Sequence, residues 1–319
     1  MKTQKIGVAL GSGSARGWAH IGVMQGLLEL GIKPDVVVGA SAGAMVGASY
    51  AAGKLDLLED WVLNLGWRDV FGLLDLHLDG GLIQGKKLFN FFDEHMAGME
   101  FSDLDLPFAA IATDLESGRE VWLREGALAD AVRASISLPG LFKPYKAPNG
   151  RFLLDGGLVN PVPVSLCRAM GADIVIAVNL NNQIVGKHFR NPRKLGLITQ
   201  LPVDHPETNT AQEQEESNEI LSKLSQWFGL DEFRNGAEEK AEHEESAPGM
   251  MEVVATAINI MQDRITKSRM AGDPPDIILN PDLTHLGLME FYRGDEAIKE
   301  GRAVVDRKAK DILALVASL

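Results

Sequence analysis

Short apolar runs rich in β-branched residues alternate with longer stretches of helical spacing along most of the chain. The runs at 5–11 (KIGVALG), 35–41 (DVVVGAS), 107–115 (PFAAIATDL), 150–157 (GRFLLDGG), 173–180 (DIVIAVNL) and 275–281 (PDIILNP) read as strands. Most are continuously apolar, as strands covered on both faces are. Between the first two, His20, Val23, Met24, Leu27, Leu28 and Leu30 fall near helical spacing until Gly31 stops the helix. An alanine-rich helix follows the second run up to Gly53, and helical periodicity returns at 250–265 and in the amphipathic 296–319. This alternation predicts an α/β fold around a largely parallel sheet.

The pattern lapses at about 181–249, where strand signals vanish and Gln, Asn, Glu and Pro accumulate. Charge explains why. The 319 residues carry a formal net charge of -13, yet residues 204–245 alone hold 13 acidic and 3 basic side chains, leaving the rest of the chain at -3. We therefore expect one domain over 1–319, interrupted by an acidic, partly disordered or helical insertion. Within it, Leu221, Leu224, Trp227 and Phe228 fall near one side of a helix and suit a lid, an interfacial segment or a docked helix. A near-neutral body can approach a lipid surface, whereas the overall acidity argues against nucleic acid as a partner. A single cysteine, Cys167, excludes an internal disulfide and favours a reducing compartment. The N-terminal IGVALG is short for a secretory signal core, and no run approaches the ~18 apolar residues that span a bilayer. The expectation is a soluble, cytoplasmic protein, with peripheral membrane contact left open.

Candidate chemistry concentrates after the first two strands. Ser41 lies in G-A-S-A-G between an apolar strand and a small-residue helix, the setting of a nucleophile elbow. Gly39 and Gly43 meet its steric demand, because the positions two before and two after the serine are squeezed between strand and helix. The loop GSGSARG, with Gly11, Gly13 and Gly17, can present backbone N–H groups to an anion. It could cradle a dinucleotide pyrophosphate or serve as an oxyanion hole. Its G-x-G-x-x-x-G spacing departs from the dinucleotide fingerprint, and no acidic residue ends the second strand, which favours the oxyanion hole. Histidines offer poor bases for Ser41. His20 lies on the apolar face of the first helix, His77 and His95 in a helical stretch, and His188, His205 and His243 in or beside the acidic segment; only His285 comes late in ordered sequence. Two strand-end carboxylates, Asp114 and Asp155, are better placed, and pattern alone does not choose between them. Trp18 and the cluster Phe89, Phe91 and Phe92 suit either an acyl pocket or ordinary core.

Four motifs in order (GSGSARG, GASAG, SISLPGLFKPY at 135–145, and DGG at 155–157) resemble the patatin-like phospholipase family, closest to its RssA-type bacterial members. The resemblance covers roughly 1–180 and 250–319 and is weak over the acidic segment. It implies a three-layer α/β/α fold with a mainly parallel central sheet, and a serine-aspartate dyad without histidine, metal or cofactor. Carried over, Ser41 looks like the nucleophile and Asp155, followed by Gly156 and Gly157, the base. The loop Gly11, Gly13, Ser14, Ala15, Arg16 and Gly17 would form the oxyanion hole. Plant-type members have G-G-G-x-R/K-G there; aligned on Arg16 and Gly17, this chain sets Ser12, Gly13 and Ser14 over those glycines, and Gly13 and Ser14 are the donors chosen. The implied activity is acyl-ester hydrolysis on lipid through an acyl-enzyme, of phospholipase A or lysophospholipase type. A regulatory or scaffolding protein acting through the acidic segment, and a lipid acyltransferase, are the alternatives. A homo-oligomer is compatible with either.

Overall fold

A computed structural model describes residues 4–66, 86–182 and 250–317. The chain divides into two compact units, one of Met1–Leu197 with Met261–Leu319 and the other of Ile198–Ile260. In the second unit the described residues are 250–260, the first turns of a long helix. The acidic insertion and its apolar patch, with His77, His188, His205 and His243, lie outside the described residues.

The strands are β1 (Ile6–Leu10), β2 (Val36–Ala40), β3 (Phe108–Asp114), β4 (Glu120–Leu123), β5 (Tyr145–Lys146), β6 (Phe152–Asp155), β7 (Ile174–Val178) and β8 (Ile277–Leu279). The helices are α1 (Ala19–Glu29), α2 (Ala42–Ala51), α3 (Leu55–Leu63), α4 (Lys86–His95), α5 (Leu128–Ser135), α6 (Val164–Ala169), α7 (Met250–Gly272) and α8 (Gly294–Ala317). All six expected strands form, and β1, β2, β3 and β7 are buried along their whole length, as their apolar runs require. Strands β4 and β5 are additions. At four and two residues they are too short to show a period, and both are largely half-buried.

Successive residues of β1 point to opposite faces, so Val8 and Leu10 join the larger core with α1, α2, α3 and α8, while Ala9 joins a smaller one with α6. The result is the expected three-layer α/β/α arrangement. Helices α1 and α8 approach closely enough that a Cβ on Gly301 would stand 2.0 Å from the Ala19 carbonyl oxygen. Alanine at that position would force the helices apart.

Strand register decides where the site forms. Strands β3, β2, β1, β7 and β8 run parallel in that order, β4 and β6 run antiparallel to β3, and β5, antiparallel to β6, runs with the parallel set again. β4 occupies one edge of β3 opposite Ala110, Ile111, Ala112 and Thr113. β2 pairs with Phe108 to Ile111 on the other edge, and β6 pairs with Ala112 to Asp114. Since β4 already holds Ala112 and Thr113, β6 must share the edge used by β2. The two strands therefore meet end to end, Ala40 level with Ile111 and Asp155 level with Ala112.

Candidate active site

Ser41 stands at the tip of β2, between Ala40 and the first residue of α2, with φ 55° and ψ -122°. A non-glycine residue in that region stores on the order of 1–3 kcal/mol of strain and persists only where its surroundings hold it. They do so here by contact. A Cβ on Gly43 would lie 2.1 Å from the Leu10 carbonyl oxygen, and one on Gly39 would lie 2.3 Å from the Gly43 carbonyl oxygen. The Ser41 N–H donates to Ser135 Oγ at 2.9 Å, so α5 fixes the turn from a second side.

Facing Ser41 from the tip of β6 is Asp155, 1% exposed. The Ser41 hydroxyl donates to Asp155 Oδ2 at 2.6 Å, and Gly157 N–H donates to Oδ1 at 2.7 Å. The carboxylate thus caps the turn Gly156–Leu158 with one oxygen and meets the serine with the other. Its backbone is fixed as well: Asp155 N–H donates to the Ser137 carbonyl at 3.0 Å, and Thr113 Oγ1 to the Asp155 carbonyl at 2.8 Å. Burial pushes the carboxyl up to about 7, against the opposing pull of the Ser41 and Gly157 hydrogen bonds. A hydroxyl bonded to a carboxylate of that basicity can pass its proton as the oxygen attacks a carbonyl carbon.

Asp114 ends β3 and takes no part in this contact. It accepts from Ser117 N–H at 2.8 Å and Ser117 Oγ at 2.6 Å, and Arg151 Nε lies 2.8 Å from its other oxygen. The bonds from Ser117, then Arg151, hold its carboxyl down at about 2. Of the two strand-end carboxylates, Asp155 is the one that lies beside Ser41. β6 is antiparallel to β3 and reaches Ser41 from beyond the end of β2, not as one more parallel strand.

The glycine loop lies against both partners of the pair. A Cβ on Gly17 would meet Ala42 Cβ at 2.2 Å, and one on Gly157 would meet Ser12 Cβ at 2.8 Å. Several loop N–H groups are engaged in holding it: Gly11 donates to Val178 O, Ser12 to Pro161 O, Ala15 to Leu288 O and Arg16 to Gly13 O. Gly17 lies inside the tight turn Ser14–Trp18. Among the described residues, the N–H groups of Gly13 and Ser14 have no acceptor. The Arg16 side chain is buried, its Nε 3.4 Å from the Gly13 carbonyl, and burial lowers its pKa to about 9.

His20 is a core histidine. Its Nε2 lies 2.7 Å from the Gly11 carbonyl, which can only accept, so Nε2 carries the proton; burial lowers its pKa to about 4. His95 Nδ1 bonds to the Phe91 carbonyl and His285 pairs with Glu296, away from Ser41. Trp18 is buried, its indole N–H on the Phe291 carbonyl at 3.1 Å, and Phe91 and Phe92 are core; the Phe89 side chain lies outside the described residues. A surface cleft of about 340 Å³ bordered by Trp61, Leu65, Phe91 and His95 includes neither Ser41 nor Asp155. Among the described residues no cluster of three or more His, Cys, Asp or Glu side chains could hold a metal, and no helix is long and apolar enough to cross a membrane. Sequence reasoning missed Ser135, Ser137 and Thr113 as supports. The first two lie within SISLPG, the segment that carried the resemblance.

A three-layer α/β/α protein with a strained serine between a parallel strand and its helix is the class these features define. Within that class the chain belongs to the patatin-like phospholipase family, whose model matches residues 8–168. It is 32% identical over 325 residues to an uncharacterized NTE family protein of Mycobacterium tuberculosis, covering 94% of this chain and 90% of that one. It is also 33% identical over 189 residues to patatin-like phospholipase domain-containing protein 7 of Rattus norvegicus, covering 56% of this chain and 14% of that protein. Lipid-ester hydrolysis is the general activity that this membership supports.

Proposed function

We propose that the protein is a serine acyl hydrolase of the phospholipase A or lysophospholipase type, with Ser41 as nucleophile and Asp155 as its base. The observation that carries this reading is the 2.6 Å hydrogen bond from Ser41 Oγ to Asp155 Oδ2 at a strained turn. Ser41 Oγ attacks the ester carbonyl while its proton moves to Asp155. The Gly13 and Ser14 N–H groups, with the free N-terminal N–H groups of α2, receive the negative charge on the carbonyl oxygen. Collapse of that intermediate expels the alcohol, which takes the proton from Asp155, and leaves an acyl-enzyme. Water, deprotonated by Asp155, then releases the fatty acid and restores Ser41. Asp155 acts on Ser41 directly, so its raised basicity does the work that histidine does in a triad.

The catalytic domain runs over the whole chain, and the acidic stretch at about 181–249 is an insertion in it. The enzyme is cytoplasmic and meets lipid as a peripheral visitor, consistent with a body near neutrality outside residues 204–245. Labelling with a fluorophosphonate probe tests the chemistry without knowledge of the natural substrate. Wild type should label and should release p-nitrophenol from acyl esters, and Ser41→Ala should do neither. Labelling that persists in Ser41→Ala would overturn the assignment.

A further inference from the structure

Ser12 and Ser14 of the glycine loop each tie it to a late part of the chain. Ser14 has φ 51°, the only positive φ among described non-glycine residues besides Ser41. Its hydroxyl donates to the Leu288 carbonyl at 2.7 Å, and the neighbouring Ala15 N–H donates to the same oxygen at 3.1 Å. Trp18 Nε1 adds a third bond to this segment, on the Phe291 carbonyl. The acceptor segment is itself held. The buried Glu290 carboxylate takes the Gly287 N–H at 2.7 Å and Arg293 Nη1 at 2.7 Å.

Ser12 is tied from the other side. Its hydroxyl donates to Gln262 Oε1 on α7 at 3.3 Å, and Asn181 Nδ2 donates to the same oxygen at 2.9 Å. Gln262 is 6% exposed, and a Cβ on Gly157 would fall 2.6 Å from its Nε2. Its side chain is wedged between Ser12 and the glycine whose N–H donates to Asp155. Between the two tethers lies Gly13, and among the described residues the N–H groups of Gly13 and Ser14 have no acceptor. A donor pair stabilises a developing oxyanion only if it is aimed before the reaction begins, since reorganising it would cost much of the gain.

We propose that the Ser12 and Ser14 hydroxyls are positioning groups that hold the Gly13 and Ser14 N–H pair as the oxyanion donors, anchored to Gln262 and to the Leu288 carbonyl. This rests on the reading of Ser41 as nucleophile. Neither hydroxyl touches the reacting atoms; each acts through the backbone beside it.

The test compares wild type with Ser14→Ala, Ser14→Gly and Gln262→Leu in p-nitrophenyl ester hydrolysis, with thermal unfolding as the check on folding. Glycine accepts φ 51° without strain, so Ser14→Gly keeps the backbone conformation accessible while removing the tether. Each folded variant should lose about 10- to 100-fold in kcat with KM within about threefold, as loss of aim at the transition state requires. A fully active Ser14→Gly would overturn the tether at Ser14, and kcat within about twofold of wild type in Gln262→Leu would overturn the tether at Ser12. Wild type that neither hydrolyses the ester nor labels with fluorophosphonate would instead overturn the function itself.

Discussion

The ends of β3 and β6 carry the same local signal and opposite chemistry. Each strand closes on an aspartate that is almost fully buried and accepts a hydrogen bond from a nearby backbone N–H. Asp114 has Ser117 and Arg151 around it and is held down at about 2; Asp155, with no ion pair among the described residues, is pushed up by burial to about 7. On the mechanism proposed, the first takes no part and the second is the group that receives the serine's proton. Register makes the difference. Asp155 stops level with Ala112, one step past the end of β2, whereas Asp114 runs two residues further. A carboxylate three residues past the end of β2 finds a surface arginine, and one a single residue past it finds the strained serine.

The sharpest way to break this contrast is to neutralise each aspartate. Asp155→Asn should cut kcat/KM about a thousandfold or more, because the amide offers no base to the serine. Activity like that of wild type would remove Asp155 from the mechanism. The pH profile comes next. Since Asp155 must be ionised to accept the proton, kcat/KM of wild type should fall about tenfold per unit below an apparent pKa near 7. A flat profile down to about pH 5 would mean that the carboxylate is not the titrating base.

Stability should move in opposite directions at the two sites. Asp155 rises from an ordinary 3.8 to about 7, so between those values the native state holds a proton that the unfolded chain has released. Stability from this group is full below about pH 4 and is lost as pH rises through 7. Asp155→Asn removes that loss and should melt above wild type at pH 8, by up to about 4 kcal/mol, with the gap closing toward pH 4. Asp114 has the reverse sign: its stabilisation is present above the ordinary 3.8 and is lost as pH falls through about 2. Asp114→Asn should therefore melt below wild type at pH 7, the gap closing in strong acid, with kcat within about threefold of wild type. The smallest effect belongs to Arg151→Ala. Its side chain is 50% exposed, so its removal should cost under about 1 kcal/mol and less in high salt.

Much of this arrangement was legible in the chain. The strand at 36–40 and the helix after it follow from VVVGASAGAMVGA because continuous apolar runs and small residues admit few alternatives. Gly39 and Gly43 announced the elbow, since a Cβ at either would strike backbone. The glycine loop was legible as a loop, but not which of its N–H groups were spent, because Val178 and Leu288 lie far along the chain from it. Nor was β4, whose four residues hold no readable period yet occupy the edge of β3 that directs β6 beside β2. Ser135 and Gln262 were equally hidden: each touches the site across more than ninety residues of chain.

Local spacing, then, determined the elements, the strained serine and the two carboxylates eligible to serve it, because strand length, helix period and glycine sterics act over a few residues. Spacing did not choose between those carboxylates, though the family resemblance pointed to Asp155; the tertiary structure sets Asp155, and not Asp114, against Ser41. That choice depends on an antiparallel strand meeting a parallel one end to end, and on the burial that leaves one aspartate near pKa 7 while an arginine and a serine hold the other near 2.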